Sequence, residues 1–247
     1  MNIALGLRFC GSNYHGWQSQ KNALAVEDVL RAAIKKLTGK APVITACSRT
    51  DAGVHALSYV CNFNSKTNIP EDKMPYAFNT TLPRDIRVMW AKIVPDDFNA
   101  RFGTVSKTYI YKIYNDKFSD PFLHNLAYHF PYKLNLDNMI RAARFFEGEH
   151  DFTSFMASGG SQKTTVRNIM SAVFRKDGPN IEFEITANAF LYNMVRIITG
   201  TLLCVGTGRI SADDIPAIIA EKDRTKAGFT APPDGLYLAN IEYGGKV

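Results

Sequence analysis

The sequence predicts an α+β fold made of two halves, each an antiparallel sheet with helices packed on it. Three observations carry that reading. Short runs in which apolar residues alternate with more polar ones, such as Leu57, Tyr59, Cys61 and Phe63, have the period of half-buried strands. Longer stretches set apolar residues three and four apart, as at Val26, Val29, Leu30, Ala33, Ile34 and Leu37, the spacing of one helix face. The two kinds of segment also follow in the same order twice along the 247 residues: strand, helix, strand, strand, helix, strand. That order is the ferredoxin-like, or RRM-like, arrangement.

In the first half, Ile3 to Phe9 is a β-rich run that ends at the turn residues Cys10-Gly11-Ser12-Asn13 and leads into a polar loop through His15-Gly16-Trp17-Gln18. The helix from Val26 stops at Gly39. Pro42 to Cys47 reads as a short buried strand, and the alternating run through Phe63 as the next. Met74 to Thr80 is a short helix and Ile86 to Val94 a strand before Pro95-Asp96-Asp97. In the second half, Lys107 to Tyr114 is an aromatic strand and Leu136 to Glu147 a helix closed by Gly148. Val166 to Phe174 turns through Lys176-Asp177-Gly178-Pro179 onto a hairpin partner carrying Ile181, Phe183 and Ile185. A helix from about Leu191 to Cys204, a break at Gly206-Thr207-Gly208, a helix from near Ser211 and a strand from Leu236 to Tyr243 complete the chain. The boundary falls near Ala100 to Val105, dividing the chain into residues 1–104 and 105–247. No Pro- or Ser-rich linker marks it, so the halves are expected to pack rigidly.

Composition narrows the function classes. A hydrophobic content of 46% supports an ordinary buried core. With 29 Lys and Arg against 23 Asp and Glu, the net charge of +6 and a pI near 9.1 favour a polyanionic partner. The four cysteines, Cys10, Cys47, Cys61 and Cys204, form no C-x-x-C pair and sit mostly in apolar contexts, as reduced core residues of a cytoplasmic protein do. Met1 leads straight into a strand pattern without a basic leader, and Arg196 interrupts the other long apolar stretch, so neither secretion nor a membrane span is expected.

The segment Ser48-Arg49-Thr50-Asp51-Ala52-Gly53-Val54-His55 lies between two apolar strand runs. An Arg two positions before an Asp, followed by Ala-Gly, suits a tight turn that presents a carboxylate at the mouth of a sheet, with Gly53 permitting positive φ or close approach of a ligand. A turn-capping Asp beside a surface Arg would give the same spacing. In Lys107-Thr108-Tyr109-Ile110-Tyr111-Lys112, Tyr109 and Tyr111 share one face of a strand; aromatics interleaved with bases hold unstacked nucleobases, and they also fill cores. The apolar run Phe190 to Arg196 carries one cation, which either snorkels to solvent or meets a carboxylate, Asp51 being the best candidate. Other signals fail. Gly159-Gly160-Ser161-Gln162-Lys163-Thr164 resembles a phosphate loop but has Gln before the Lys, so it reads as a flexible loop that touches RNA phosphates. The five His show no metal-ligand spacing, and no nucleophile elbow is present.

Together, Arg49 through Ala56, Phe98-Asn99-Ala100-Arg101-Phe102, Lys107 through Tyr111, Phe190 through Arg196 and Ala231-Pro232-Pro233-Asp234-Gly235-Leu236-Tyr237-Leu238 resemble the bacterial tRNA pseudouridine(38-40) synthase family, the tRNA pseudouridine synthase A type. The Arg-Thr-Asp-Ala-Gly-Val-His string is the distinctive part. The resemblance runs from the Tyr14 to Gln20 loop nearly to the C-terminus and implies one catalytic unit in which uridine in tRNA is isomerised to pseudouridine. The N1–C1′ bond breaks and a C5–C1′ bond forms, without metal, nucleotide or other cofactor. It implies that Asp51 is the essential carboxylate, adding to C1′, taking a sugar proton to give a glycal, or attacking C6. Arg196 would orient Asp51 and hold it ionised. Arg49 would fill the space left by the flipped nucleotide, Tyr109 would stack on the uracil and help remove the C5 proton, and Leu236 would cover the ring. Lys163, Arg167 and Arg101 would track phosphates. The family implies a homodimer that cradles the tRNA anticodon arm and modifies positions 38 to 40. Ser48 stands where many bacterial members have Gly, and Ile197 where Asn is frequent. A paralogue acting on other tRNA or ribosomal RNA sites, an N-glycosidase cutting the same bond and a non-catalytic RNA-binding protein are the alternatives.

Overall fold

The structure, a computed structural model, describes residues 1–160 and 164–245. It is α+β with mostly antiparallel strands, as the sequence predicts. Contacts divide the chain into two compact units, Met1–Val105 with Tyr237 onward, and Ser106–Leu236.

In the first unit β1 (Asn2–Phe9), α1 (Val26–Thr38), β2 (Ile44–Ala46), β3 (His55–Asn64), α2 (Met74–Asn79) and β4 (Ile86–Val94) follow the ferredoxin-like order. β1 lies between β4 and β3, and β2 pairs β3, all antiparallel. α1 begins where Asp28 accepts a hydrogen bond from the Ala25 N–H and ends at Gly39, whose φ of 79° a side chain would disfavour. Its buried stripe of Val26, Leu30, Ala33 and Ile34 is the face that the spacing predicts. The Phe78 ring of α2 meets Phe63 edge-on, 6.4 Å between centroids.

The last strand is β10 (Leu236–Glu242), which element order assigns to the second half. From Tyr237 it groups with the first unit, because it pairs in parallel with the start of β3 through Tyr237↔His55 and Leu238↔Ala56. β3 thus has one edge shared between two strands: β10 at its beginning and β2 at Cys61 to Phe63. Beyond β10, the Tyr243 hydroxyl donates to the Ala100 carbonyl at 2.8 Å.

The second unit contains β5 (Ser106–Tyr114), β6 (Tyr128–His129), α3 (Leu136–Arg144), β7 (Gly148–Asp151), β8 (Val166–Asp177), β9 (Asn180–Ala187), α4 (Met194–Gly206) and α5 (Ile215–Glu221). β5, β9, β8 and β7 form an antiparallel series, with β6 parallel to β5. α4 is buried almost all round. Its Thr199 and Thr201 hydroxyls donate to the carbonyls of Val195 and Ile197, which lets polar residues sit in a core. Gly200 lies so close to residue 229 that an added Cβ would come 1.8 Å from the Phe229 carbonyl oxygen. The helix begins at Met194 rather than near Leu191, because Asn193 adopts a left-handed conformation (φ 58°) and breaks the apolar run.

Candidate active site

Asp51 sits at the head of a four-residue turn. The Val54 N–H donates to the Asp51 carbonyl at 3.1 Å, and Gly53, the third residue, has φ 79°. That conformation is cheap for glycine and explains the Ala-Gly pair after the Asp. The turn feeds directly into β3, so Asp51 is carried at the end of a sheet strand; the residue is half-buried, while Arg49 is exposed.

The backbone on both sides of Asp51 is fastened to the segment Gly11–Trp17. Trp17 N–H donates to the Thr50 carbonyl and Gly53 N–H to the Tyr14 carbonyl, each at 3.1 Å. Gly11 N–H donates to Nδ1 of the buried His55, also at 3.1 Å, which places the imidazole proton on Nε2. The His55 ring stacks on Tyr237 at 4.5 Å, tying the turn to β10. Close approach has a sequence cause: a Cβ on Gly11 would meet the Val54 carbonyl oxygen at 2.0 Å, and one on Gly16 the Thr50 carbonyl oxygen at 2.4 Å. Beneath, Trp17 stacks on Tyr59 at 4.3 Å, and the Tyr59 hydroxyl donates to the Ser48 carbonyl.

A further residue supports this loop and carries no signal in the sequence. The Tyr14 hydroxyl donates to Asp85 Oδ1 at 2.7 Å, Asn13 Nδ2 to Oδ2 at 3.1 Å, and Cys10 N–H to the Asp85 carbonyl at 2.9 Å. Burial first, then the Asp85 carboxylate, push the Tyr14 phenol above its usual range, so it keeps its proton and remains a donor. Nothing in the sequence singles out Asp85. Its pairing with Tyr14, about 70 residues away, leaves no local pattern.

Tyr109, Arg196 and Leu236 lie in the second unit. Tyr109 is buried on β5 with Tyr111, on the shared face that alternation predicts, and meets Phe190 edge-on at 5.1 Å. Tyr111 is a core residue, its hydroxyl donating to the Pro232 carbonyl at 2.7 Å, and burial pushes that phenol well up. Arg196, the third residue of α4, is half-buried; Nε donates to the Ala231 carbonyl at 2.7 Å and Nη1 to Asn193 Oδ1 at 2.9 Å. Gly235 packs against β5, where a Cβ would meet the Lys112 carbonyl oxygen at 2.4 Å, and Leu236 follows, buried. The 231–236 run is thereby drawn against both α4 and β5.

Of the residues expected to follow phosphates, Arg101 is exposed with its guanidinium 5.3 Å from the Phe102 ring. Arg167 turns into its own loop, donating to the Val166 carbonyl at 2.6 Å. Lys163 lies outside the described residues. Among the described residues no group of three or more His, Cys, Asp or Glu is arranged to hold a metal ion, and no helix is long and apolar enough to cross a membrane.

The model of a family described as tRNA pseudouridine synthase matches residues 7–103 and 142–244, which include Asp51, Arg49, Arg196 and Leu236. The chain belongs to the tRNA pseudouridine synthase family. Relatives agree over nearly their whole length. The tRNA pseudouridine synthase A of Thermoanaerobacter pseudethanolicus is 50% identical over 242 residues, 98% of this chain and 99% of that relative. That of Acetivibrio thermocellus is 47% identical with the same coverage. The tRNA pseudouridine synthase A 2 of Clostridium tetani is 43% identical over 98% of both chains. Among solved structures, an archaeal box H/ACA sRNP Nop10-Cbf5 complex aligns with 81% of this chain and 44% of that one, at a TM-score of 0.37 and 12% identity, too loosely to bear on the site. In this tRNA pseudouridine synthase the turn at Asp51 lies within the matched region, with its backbone bonded on both sides of the carboxylate.

Proposed function

We propose that this pseudouridine synthase acts on uridines 38, 39 and 40 in the anticodon arm of tRNA, as a cytoplasmic homodimer. The observation that carries the reading is the Asp51 turn, which offers a carboxylate at the end of β3 with the backbone at Thr50, Gly53 and Val54 held by hydrogen bonds. A surface turn Asp needs no such support. The reaction is an isomerisation: C1′ leaves N1 and bonds to C5, the C5 proton is removed, and N1 gains a proton, so atoms and charge balance. Addition of Asp51 to C1′, proton removal from the sugar and attack on C6 all use an ionised carboxylate. In this reading Arg196 is the counter-charge that favours that form, its fork oriented by Ala231 and Asn193. Tyr109 stacks on the flipped uracil, Leu236 covers its other face, and the exposed Arg49 fills the gap in the RNA stack.

The test is incubation of the purified protein with unmodified tRNA, followed by selective labelling of pseudouridine and primer extension, alongside Asp51→Asn. Pseudouridine at positions 38 to 40 with wild type and none with the variant is expected. Unmodified uridine with wild type, modification at other sites, or equal activity in the variant overturns the reading. Released uracil would indicate a glycosidase. Sedimentation of the protein alone and with tRNA checks the dimer.

A further inference from the structure

We infer that Tyr14 and His55 are positioning residues that set the turn carrying Asp51, Tyr14 through Asp85 and His55 through Gly11. The inference rests on the reading of Asp51 as the catalytic carboxylate. Hydrogen bonds that fasten the Ser48–His55 segment to its surroundings in the first unit include Trp17 to Thr50, Gly53 to Tyr14, Gly11 to His55 and Tyr59 to Ser48. The first two end on backbone atoms of the Gly11–Trp17 segment, so they hold Asp51 only as firmly as that segment is itself held. That segment is held in part by backbone bonds with Leu24, Val26 and Glu27 and by Gln20 on the His15 carbonyl, and in part by the side chains of Tyr14, Asn13 and His55. Tyr14 and Asn13 bind the two oxygens of Asp85, and the Asp85 carbonyl receives the Cys10 N–H, which locks one end of the segment to the residue just before β4. His55 accepts the Gly11 N–H while its ring rests on Tyr237, which locks the other side to β10.

Tyr14 and His55 are buried and Asp85 half-buried, so their contacts bear on the placement of the turn. A displacement of about 1 Å at a reacting group lowers turnover by up to roughly 10²-fold without a matching loss of binding. The Tyr14 and His55 anchors are therefore expected to appear in kcat rather than in KM. A part in folding alone would lower the melting temperature and the active fraction while leaving the kinetics of the folded molecules intact.

The experiment uses the full chain with Tyr14→Phe, which removes only the hydroxyl, and His55→Phe, which removes the acceptor and keeps a ring on Tyr237. Each is expected to lower kcat on unmodified tRNA by about tenfold, with KM within about twofold. His55→Asn returns an acceptor oxygen near the Nδ1 position and is expected to recover part of the His55→Phe loss. Asp85→Asn, which keeps an acceptor for Tyr14, loses less than Asp85→Ala. Tyr14→Phe combined with Asp85→Ala is no slower than the worse single change, as two ends of one contact require. Amide hydrogen exchange at Gly53 gives a readout apart from activity and is expected to speed up in Tyr14→Phe. Wild-type kcat in both Phe variants overturns the inference, as does additive loss in the double variant. Should the wild-type protein form no pseudouridine, the functional reading fails by itself, and unchanged Gly53 exchange in Tyr14→Phe then overturns the positioning role.

Discussion

The Nε of Arg196 donates to the carbonyl oxygen of Ala231 at 2.7 Å, and the Ala231 N–H returns a bond to the Arg196 carbonyl at 3.1 Å. This two-way link makes the guanidinium a fixed part of the 231–236 run rather than a solvated cation. Arg196→Met is expected to reduce single-turnover pseudouridine formation by about 10²-fold, in the range seen when one preorganised charge partner is removed. tRNA affinity in filter binding is expected to change by less than about threefold. Arg196→Lys keeps the charge but lacks the fork, and is expected to rescue little.

Two glycines with similar φ separate packing from local strain. Gly16 (φ 85°) faces the Thr50 carbonyl oxygen, whereas Gly39 (φ 79°) has nothing within 4 Å of its added Cβ. Gly39→Ala is expected to cost about 1 kcal/mol in urea unfolding and leave activity intact. Gly16→Ala is expected to cost roughly 1–3 kcal/mol and to reduce turnover as well, because the displaced carbonyl is the one preceding Asp51.

Binding to tRNA should be strongly salt-dependent. With about six phosphates neutralised, affinity falls by roughly 10³-fold between 50 and 200 mM salt. The exposed Arg101 is the side chain to change. Alanine there is expected to lower the slope of log K against log salt by about 1. An unaltered slope would remove it from phosphate contact.

Acid should weaken a contact in the second unit. Asp151 receives the Lys222 ammonium at 2.8 Å and the Thr153 hydroxyl at 2.6 Å. Burial raises the Asp151 carboxyl, but the donors Lys222, Thr153 and Thr165 outweigh it and hold the group well below its usual range. A depressed folded-state pKa stabilises fully above the unfolded value, near pH 4, and the contribution is lost as pH falls toward the folded one. Because Lys222 is largely exposed, Asp151→Asn is expected to cost only about 1 kcal/mol at pH 7. The gap to wild type in thermal melts should narrow below about pH 4.

Much of the fold follows from local pattern. α1 keeps the stripe and the Gly39 stop that its spacing predicts, whereas β3 forms where expected but without the half-buried alternation: Leu57 is exposed, and Tyr59 through Phe63 are all buried. Elements set by distant partners escape such reading. β7, Gly-Glu-His-Asp, has no apolar alternation and exists through its register with β8. The left-handed Asn193 is hidden inside an apolar run that looks helical from Leu191. At the site, Asp-Ala-Gly announces the turn because glycine geometry is local, whereas Asp85 and the Nδ1 acceptor of His55 act through tertiary contacts without periodicity.

The return of β10 to the first unit has a consequence for synthesis. Its pairing with β3 joins positions about 180 residues apart, and the ribosome makes all of Ser106–Leu236 before Tyr237 emerges. A nascent chain can form the β4-β1-β3 sheet early, but the ring that backs His55 arrives only after the second unit has been translated. The Tyr237 part of the support behind Asp51 is therefore among the last contacts made. An unfinished polypeptide, held beside the tRNAs of the translating ribosome, has the carboxylate without the ring that backs His55.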